Sequence, residues 1–415
     1  MIKTSQRSKL ALGILAAAMA IPAVSQAALV EDSKASLELR NMYLNRDFRD
    51  GAASPSYGET WAQGFIAKFE SGYTEGTVGV GVDALGLLGV KLDSSRDRTA
   101  GNMLPLETNG DPVDEYSQLG LTAKARISKS TLHMGTLLPV LPVVQYNNTR
   151  LLPSSFTGGL LTSQEITGLT LHASRLEDVS LRDSSDRQSV GFGAAESAHF
   201  DVLGGSYAFN PQLTASYYYG ELQDIYKQHF GGLVHSAPLG EGLSLRTDLR
   251  YFNTKDDGDQ KAGEFDSDFF NGMVTLGVGG HKFGVGYQNM SGDGVFPFMN
   301  GADPYSVNLS TFWTFARQEE DAYQVRYDYD FASIGIPGLA FMTRYVSGYN
   351  IEAANGSYDD GKEWERDTDI VYTLQDGSLK GLRFHVRNVT YRAESRVGRD
   401  VDENRLIVSY TLPLL

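Results

Sequence analysis

"KGLRFHVRNVTYR", residues 380–392, separates into two faces when every second residue is taken. Leu382, Phe384 and Val386 fall on one side; Arg383, His385 and Arg387 fall on the other. A two-residue period is the mark of a strand whose sides meet different surroundings. Which side meets water, and what a row of arginines faces, are questions for the whole chain.

The same alternation recurs from one end of the chain to the other. "QLGLTAKARIS" (118–128) sets Leu119, Leu121, Ala123, Ala125 and Ile127 against Gln118, Gly120, Thr122, Lys124 and Arg126. "LSLRTDLRYF" (243–252) opposes Leu243, Leu245, Leu249 and Tyr251 to Arg246, Asp248 and Arg250. "AYQVRYDYDF" (322–331) opposes Tyr323, Val325, Tyr327 and Tyr329 to Gln324, Arg326 and Asp328, and "NRLIVSYTLPLL" (404–415) opposes Leu406, Val408, Tyr410 and Leu412 to Arg405 and Ser409. No long segment keeps the i, i+3, i+4, i+7 spacing of an amphipathic helix.

Connections come in two kinds. "NPQ" (210–212) and "QDGSLKG" (375–381) are short; "NTKDDGDQKAGEFDSD" (253–268) and "NIEAANGSYDDGKEWERDTD" (350–369) read as long acidic loops. Short turns at one end and long polar loops at the other connect the strands of bacterial transmembrane barrels. A soluble sandwich would account for any one strand, with its apolar face buried and its charged face solvated. It accounts less well for aromatic clusters near strand ends, as in "SYYYG" and "YDYDF".

Composition narrows the class. The 415 residues carry 51 acidic against 36 basic side chains, which argues against nucleic acid as a partner. Cysteine is absent, so neither disulfides nor thiolate metal sites arise. "MIKTSQRSKLALGILAAAMAIPAVSQA" has a basic start, an apolar run and small residues before Ala28, the layout of a signal peptide cleaved after Ala27. Residues 28–415 then form a single domain. Beyond Ala27 no apolar run reaches the ~20 residues of a spanning helix. Taking 27 residues from 415 leaves 388, and at roughly 20–22 residues per strand and connection that makes about 18 strands. The expected fold is all-β: a transmembrane antiparallel β-barrel of about 18 strands, wide enough for an aqueous channel.

One connection breaks the pattern. Residues 137–166, "LLPVLPVVQYNNTRLLPSSFTGGLLTSQEI", hold three prolines among apolar side chains. That is too apolar for a surface loop and too proline-rich for a central strand. Burial inside the lumen satisfies both, with Arg150 near the constriction; packing over the rim is the alternative.

Several stretches resemble the OprD-like family of substrate-selective outer-membrane channels, also called outer-membrane carboxylate channels. They are "LRNMYLNRDFRDG" (39–51), "GTVGVGVDALGLLGVKLD" (76–93), "RLLPSSFTG" (150–158) and "YQVRYDYDFASIGIPGL" (323–339), spread over most of the chain. The resemblance implies an 18-stranded barrel, a monomer or loose homotrimer, with an inward third loop. It implies a basic ladder on the wall, acidic or hydroxyl groups facing it, and small carboxylate-bearing substrates. Outer-membrane lipid and lipopolysaccharide would surround it, and no cofactor is implied. Arg40 and Arg46 lie in the first motif, Arg150 in the third, Arg326 in the fourth, and Arg383 and Arg387 on a late strand. "NNTR" (147–150) departs from the pattern: Asn148 stands where the resemblance leads one to expect an acid. That tilts the expected substrate toward aromatic or cyclic carboxylates and away from basic amino acids.

The basic residues with lumen parity are Arg40, Arg126, Arg246, Arg250, Arg326, Arg344, Arg383, Arg387 and Arg405, with Lys68 and Lys124. Such rows favour anions by offsetting the hydration a carboxylate loses, and a ladder of weak sites lets the solute leave. Each arginine could instead be tied into an ion pair with an acid such as Glu38, Asp248 or Asp328. An outer-membrane hydrolase is the rival from another class, but neither a GxSxG nor a HExxH motif occurs and the seven histidines are scattered.

Overall fold

The computed structural model describes residues 31–49 and 55–415; the expected signal peptide, residues 1–27, lies outside them. Long strands follow one another around a closed wall: β1 (Lys34–Phe48), β2 (Tyr57–Glu70), β3 (Val78–Asp93), β4 (Glu115–Ile127), β5 (Ser130–Leu137) and β6 (Ser155–Ser163). Next come β7 (Leu169–Ser180), β8 (Phe200–Asn210), β9 (Leu213–Leu222), β10 (Tyr226–Gly240), β11 (Leu243–Asp256) and β12 (Asp266–Val278). The wall finishes with β13 (His281–Asp293), β14 (Asp321–Asp330), β15 (Leu339–Ile351), β16 (Gly361–Thr373), β17 (Arg383–Ala393) and β18 (Val401–Pro413). Each is antiparallel to its neighbours. The sheet counts 19 strands only because Gln188–Ser189 adds a two-residue pairing to β7. β18 returns to β1 from Ser36↔Pro413 to Phe48↔Val401, which closes an 18-stranded barrel and leaves no long edge.

Local chemistry explains the tight turns. Between β8 and β9 the Asn210 side-chain oxygen accepts from the backbone N–H of Gln212 at 2.8 Å and of Leu213 at 3.0 Å, so Pro211 needs no donor. Tight turns fill the end that holds the start of β1 and the end of β18; the long loops fall at the other, with one three-residue turn, 223–225, among them.

The two faces resolve as the alternation predicts. Leu119, Leu121, Val285, Val325, Phe384, Val386 and Leu406 are exposed on the outer surface, while Lys124, Arg387 and Arg405 turn inward. No helix among the described residues is long and apolar enough to cross a membrane; the strands do so, with lipid as the solvent of the apolar face. Aromatic rings gather toward both ends of the outer wall. Tyr287, Tyr323 and Tyr349 stack near the loop end, and His281, Tyr329 and Phe331 near the turn end.

Three expectations need correction. Within 137–166, Leu137 ends β5 and only residues 138–154 leave the wall; Ser155–Ser163 is β6, because it finds partners in β5 on one side and β7 on the other. A second segment, residues 294–320, also folds inward. Ala302–Asp303 pairs with Val144–Tyr146 of the first loop, so the two loops share a small sheet inside the barrel. Finally, much of 350–369 is not loop: Gly361–Thr373 is β16, with its acids on the inner face.

The loops carry their own apolar cores into the lumen. Leu151 and Leu152 pack with Met103 and Leu104 on Met42, Leu44, Ala62 and Ile66 of β1 and β2. Val143, Val144, Phe296 and Met299 pack on Phe230, Phe252 and Phe269 across the barrel.

Candidate functional site

The first inner loop is held to the wall by an arginine. Arg40, nearly buried, donates to the Asn148 side chain at 2.9 Å and to the carbonyls of Arg150 and Leu151 at 2.8 and 3.3 Å, and pairs with Glu38 at 2.8 Å. Opposite, Gly64 lets the loop come close: a Cβ there would stand 3.0 Å from the Leu151 carbonyl oxygen. Arg40 is therefore an anchor with no free donor face.

Two more arginines converge on the same loop. Arg150 is buried and donates Nε to the Gly101 carbonyl at 2.8 Å. Burial and the nearby guanidinium groups of Arg405 and Arg182 hold its pKa well below the usual arginine value. Arg182, from the loop after β7, donates to Asn147 Oδ1 at 2.9 Å and Thr149 Oγ1 at 2.8 Å. One of the acids near them is Asp303, which accepts from Asn147 Nδ2 at 2.6 Å. Burial pushes its carboxyl up to about 6, against the pull of Arg182 and Arg150.

The wall arginines form a row with acids set between them. Arg387 stands in register opposite Arg405, and Arg326 opposite Arg344. Like charges directly opposite would destabilise the pairing, and carboxylates offset them. Arg387 pairs with Asp369 at 2.6 Å, Arg344 with Asp367 at 2.6 Å, Arg326 with Asp328 at 2.7 Å, and Arg405 with Glu403. Arg46 shares Glu403 at 2.5 Å and lies over the Phe312 ring. Arg250 pairs with Asp248 at 2.9 Å and stacks on Tyr305, 3.6 Å from its centroid.

A cavity of about 1020 Å³ runs beside this row, from the loops down toward the turn end. Arg150, Arg182, Lys282, Arg326, Arg344, Arg387 and Arg405 line it, against Asp303, Asp328, Asp330 and Asp369. Seven cations face four acids, and with Asp367 and Glu403, which pair with Arg344 and Arg405 from behind the lining, counted as well, an excess of one positive charge remains. An adjoining space of about 330 Å³ shares Arg326 and Arg344 and adds Arg246, Arg250 and Asp248. Arg405 is 2% exposed, and its Nη2 has no hydrogen-bond partner.

Seven of the expected basic residues therefore come together: Arg150, Arg246, Arg250, Arg326, Arg344, Arg387 and Arg405. Arg40, Arg46 and Lys68 lie outside the lining of both cavities, as do three others. Lys124 is buried against Asp83 at 2.6 Å and the Ser71 carbonyl at 2.7 Å, pinning the turn after β2. Arg126 lies over Tyr73 of that turn. Arg383 is exposed at the start of β17. Sequence reasoning passed over Arg182, Lys282 and Asp303, and with them Phe312 and Trp313, which also line the cavity. The signal that marked the first loop, prolines among apolar side chains, is present in the second as well, at Phe296, Pro297, Pro304 and Trp313.

A closed barrel, apolar outside and charged inside, with two loops narrowing its bore, is a membrane channel. The comparisons give the family: a model described as outer membrane porin, OprD family, matches residues 27–414, and the chain belongs to that family. It is similar to the porin-like protein GalP of Pseudomonas putida, at 37% identity covering 97% of each chain. It is also similar to the crystal structure of Pseudomonas aeruginosa OccK9 (OpdG), with 45% identity and a TM-score of 0.90 over 93% of this chain and 100% of that one. A structure of Pseudomonas aeruginosa OpdK with vanillate matches at 41% identity and a TM-score of 0.87, again over 93% and 100%. The protein is thus an outer-membrane porin of the Gram-negative envelope, which sets aside the hydrolase and soluble readings.

Proposed function

We propose that this porin passes small carboxylate-bearing solutes by passive diffusion along Arg150, Arg326, Arg344, Arg387 and Arg405. The observation that carries the reading is the row of guanidinium groups along the cavity, which stays positive even when Asp367 and Glu403, the partners of Arg344 and Arg405, are counted with the lining acids. A guanidinium binds a carboxylate with direction as well as charge. The paired acids weaken each rung, and transit requires that, since one deep site would trap the solute.

Aromatic and cyclic carboxylates are the favoured class. Phe298, Phe312 and Trp313 offer ring surfaces in the same cavity, and OpdK, a similar structure, was solved with vanillate. Basic amino acids remain the second reading, because Asp303 supplies near the constriction the acid that Asn148 lacks. Outer-membrane lipid and lipopolysaccharide against the apolar wall, and removal of residues 1–27 on export, belong to the same proposal.

The test is reversal potential in planar bilayers and uptake across a panel of aromatic carboxylates, basic amino acids and neutral sugars. Arg387→Ala should lower anion selectivity and carboxylate uptake, whereas Arg383→Ala, exposed beyond the cavity, should change both little. Equal effects of the two, or a cation-selective parent channel, would end this reading.

A further inference from the structure

Strand β16 is unusual for its inner face. Glu363, Glu365, Asp367 and Asp369 occur at every second position, and all four are buried. Four carboxylates in a row on one strand repel one another and lose hydration, a cost that persists only where other groups satisfy them. Asp369 is matched by Arg387, at 2.6 Å. The other three reach the second inner loop.

Glu365 accepts from two successive backbone N–H groups, Phe312 at 2.9 Å on one oxygen and Trp313 at 3.0 Å on the other. Asp367 accepts from the N–H of Thr311 at 3.2 Å and from its hydroxyl at 2.9 Å. Glu363 takes the Arg317 guanidinium at 3.1 Å. Three consecutive amides of the loop are thus held by two wall carboxylates. The residues they fix, Thr311, Phe312 and Trp313, are lining residues of the main cavity.

We propose that Glu365 is the positioning residue of the second inner loop, and that with Asp367 it sets the bore of the channel. Glu365 touches no solute; it acts by holding Phe312 and Trp313 at a fixed depth in the lumen. Asp367 joins the loop to the arginine row, because the same oxygen that receives Thr311 also receives Arg344, at 2.6 Å. The inference rests on the porin class and not on carboxylate preference.

Glu365→Gln tests it with little change in volume. The amide NH₂ would meet an N–H where an oxygen now accepts, so one of the two bonds is lost. Loss of one buried bond, with its N–H left unsatisfied, shifts the displaced loop population by roughly tenfold. Trp313 reports that shift directly. The chain has three tryptophans, and with Trp61 and Trp364 changed to Phe, acrylamide quenching reads Trp313 alone. The expected result is stronger quenching, higher single-channel conductance with more open-channel noise, and faster passage of neutral sugars as well as carboxylates. Unchanged quenching and conductance in a folded Glu365→Gln barrel would overturn the proposal. Should that variant not assemble, Glu365→Asp carries the test, since it keeps the carboxyl group but draws it back by one methylene from both loop N–H groups; quenching equal to the parent's would then be the overturning result. Faster sugar passage with anion selectivity retained would uphold Glu365 and leave the carboxylate reading standing, whereas a cation-selective parent would end that reading without touching this one.

Discussion

The two inner loops are anchored by opposite chemistry. The first, residues 138–154, offers carbonyls and an amide oxygen to a wall arginine, Arg40. The second, residues 294–320, offers its N–H groups to wall carboxylates, Glu365 and Asp367. An irregular loop inside a barrel must satisfy both its donors and its acceptors away from water. Wall groups of both signs share that task, the second loop also giving carbonyls of Leu309 and Val307 to Arg344 and Gln324. The difference teaches that charge in this lumen serves two purposes: some of it faces the solute, and some of it holds the loops that shape the path.

The largest effect expected from breaking this arrangement is at Arg40. Arg40→Ala removes every bond that holds residues 148–151 to β1 and leaves Glu38 without its partner. The loss should be about 1.5–3 kcal/mol, the range for hydrogen bonds to a charged group. Thermal unfolding in detergent, followed by the change in gel mobility of the folded barrel, measures it. Conductance should rise too, as the first loop loosens from the wall. If Arg40→Ala changes selectivity while leaving stability untouched, Arg40 faces the solute and the anchor assignment is wrong.

How far the sequence discloses each loop follows from the range of the interactions. Outer-face residues such as Val325 and Val386 are legible because a period of two is local. Pro139, Pro142 and Pro153 expose the first loop in the same local way. The second loop has Pro297 and Pro304, yet its place depends on Glu363, Glu365 and Asp367, far along the chain. Those acids were read as part of a solvated connection because they lie among "GSYDDGKEWERDTD". The period of two is present there, but in charge and not in hydrophobicity. Parity also puts Arg383 and Arg387 on one face without saying which is deep enough to reach the cavity. That depth follows from the turn at 374–382, and each arginine's partner follows from the register of the neighbouring strand. Neither can be read from one strand alone.

A mid-sized effect is expected at Asp303, where the two loops meet. Its carboxyl titrates near 6, against an ordinary value of 3.8, because burial disfavours the charged form. Above that pH it carries a negative charge beside Arg150 and Arg182; below it the group is neutral and the cavity's positive surplus grows by one. Anion selectivity should therefore rise as pH falls through about 6, and Asp303→Asn should remove that step. A raised value also means that the group favours the fold most in its protonated form, below its ordinary range, and that this contribution is lost as pH rises through about 6. Asp303→Asn should accordingly be the more stable protein at pH 8. Reversal potentials and unfolding midpoints across that interval check both halves; a pH step that survives in Asp303→Asn would assign it to another group.

The smallest effect is expected from making the first loop's anchor resemble the second's. Asn148 accepts from Arg40 Nη1 at 2.9 Å through a neutral amide oxygen. Asn148→Asp turns that contact into a charge-assisted bond without moving an atom of the backbone. Asn148 is exposed to the lumen, so solvent screens most of the added attraction and the gain should stay below about 1 kcal/mol. Electrostatics in the bore should change more visibly than stability. The new carboxylate would stand two positions from Arg150 and on the loop that carries Asn147 to Asp303, trimming the positive surplus where the bore narrows. Aromatic carboxylate uptake should fall slightly and lysine or arginine uptake should rise slightly, with conductance unchanged because the loop does not move. Those paired shifts are readable in one uptake panel. If the variant instead raises conductance, the added charge has displaced the loop, and the first loop's position depends on a neutral Asn148 as well as on Arg40.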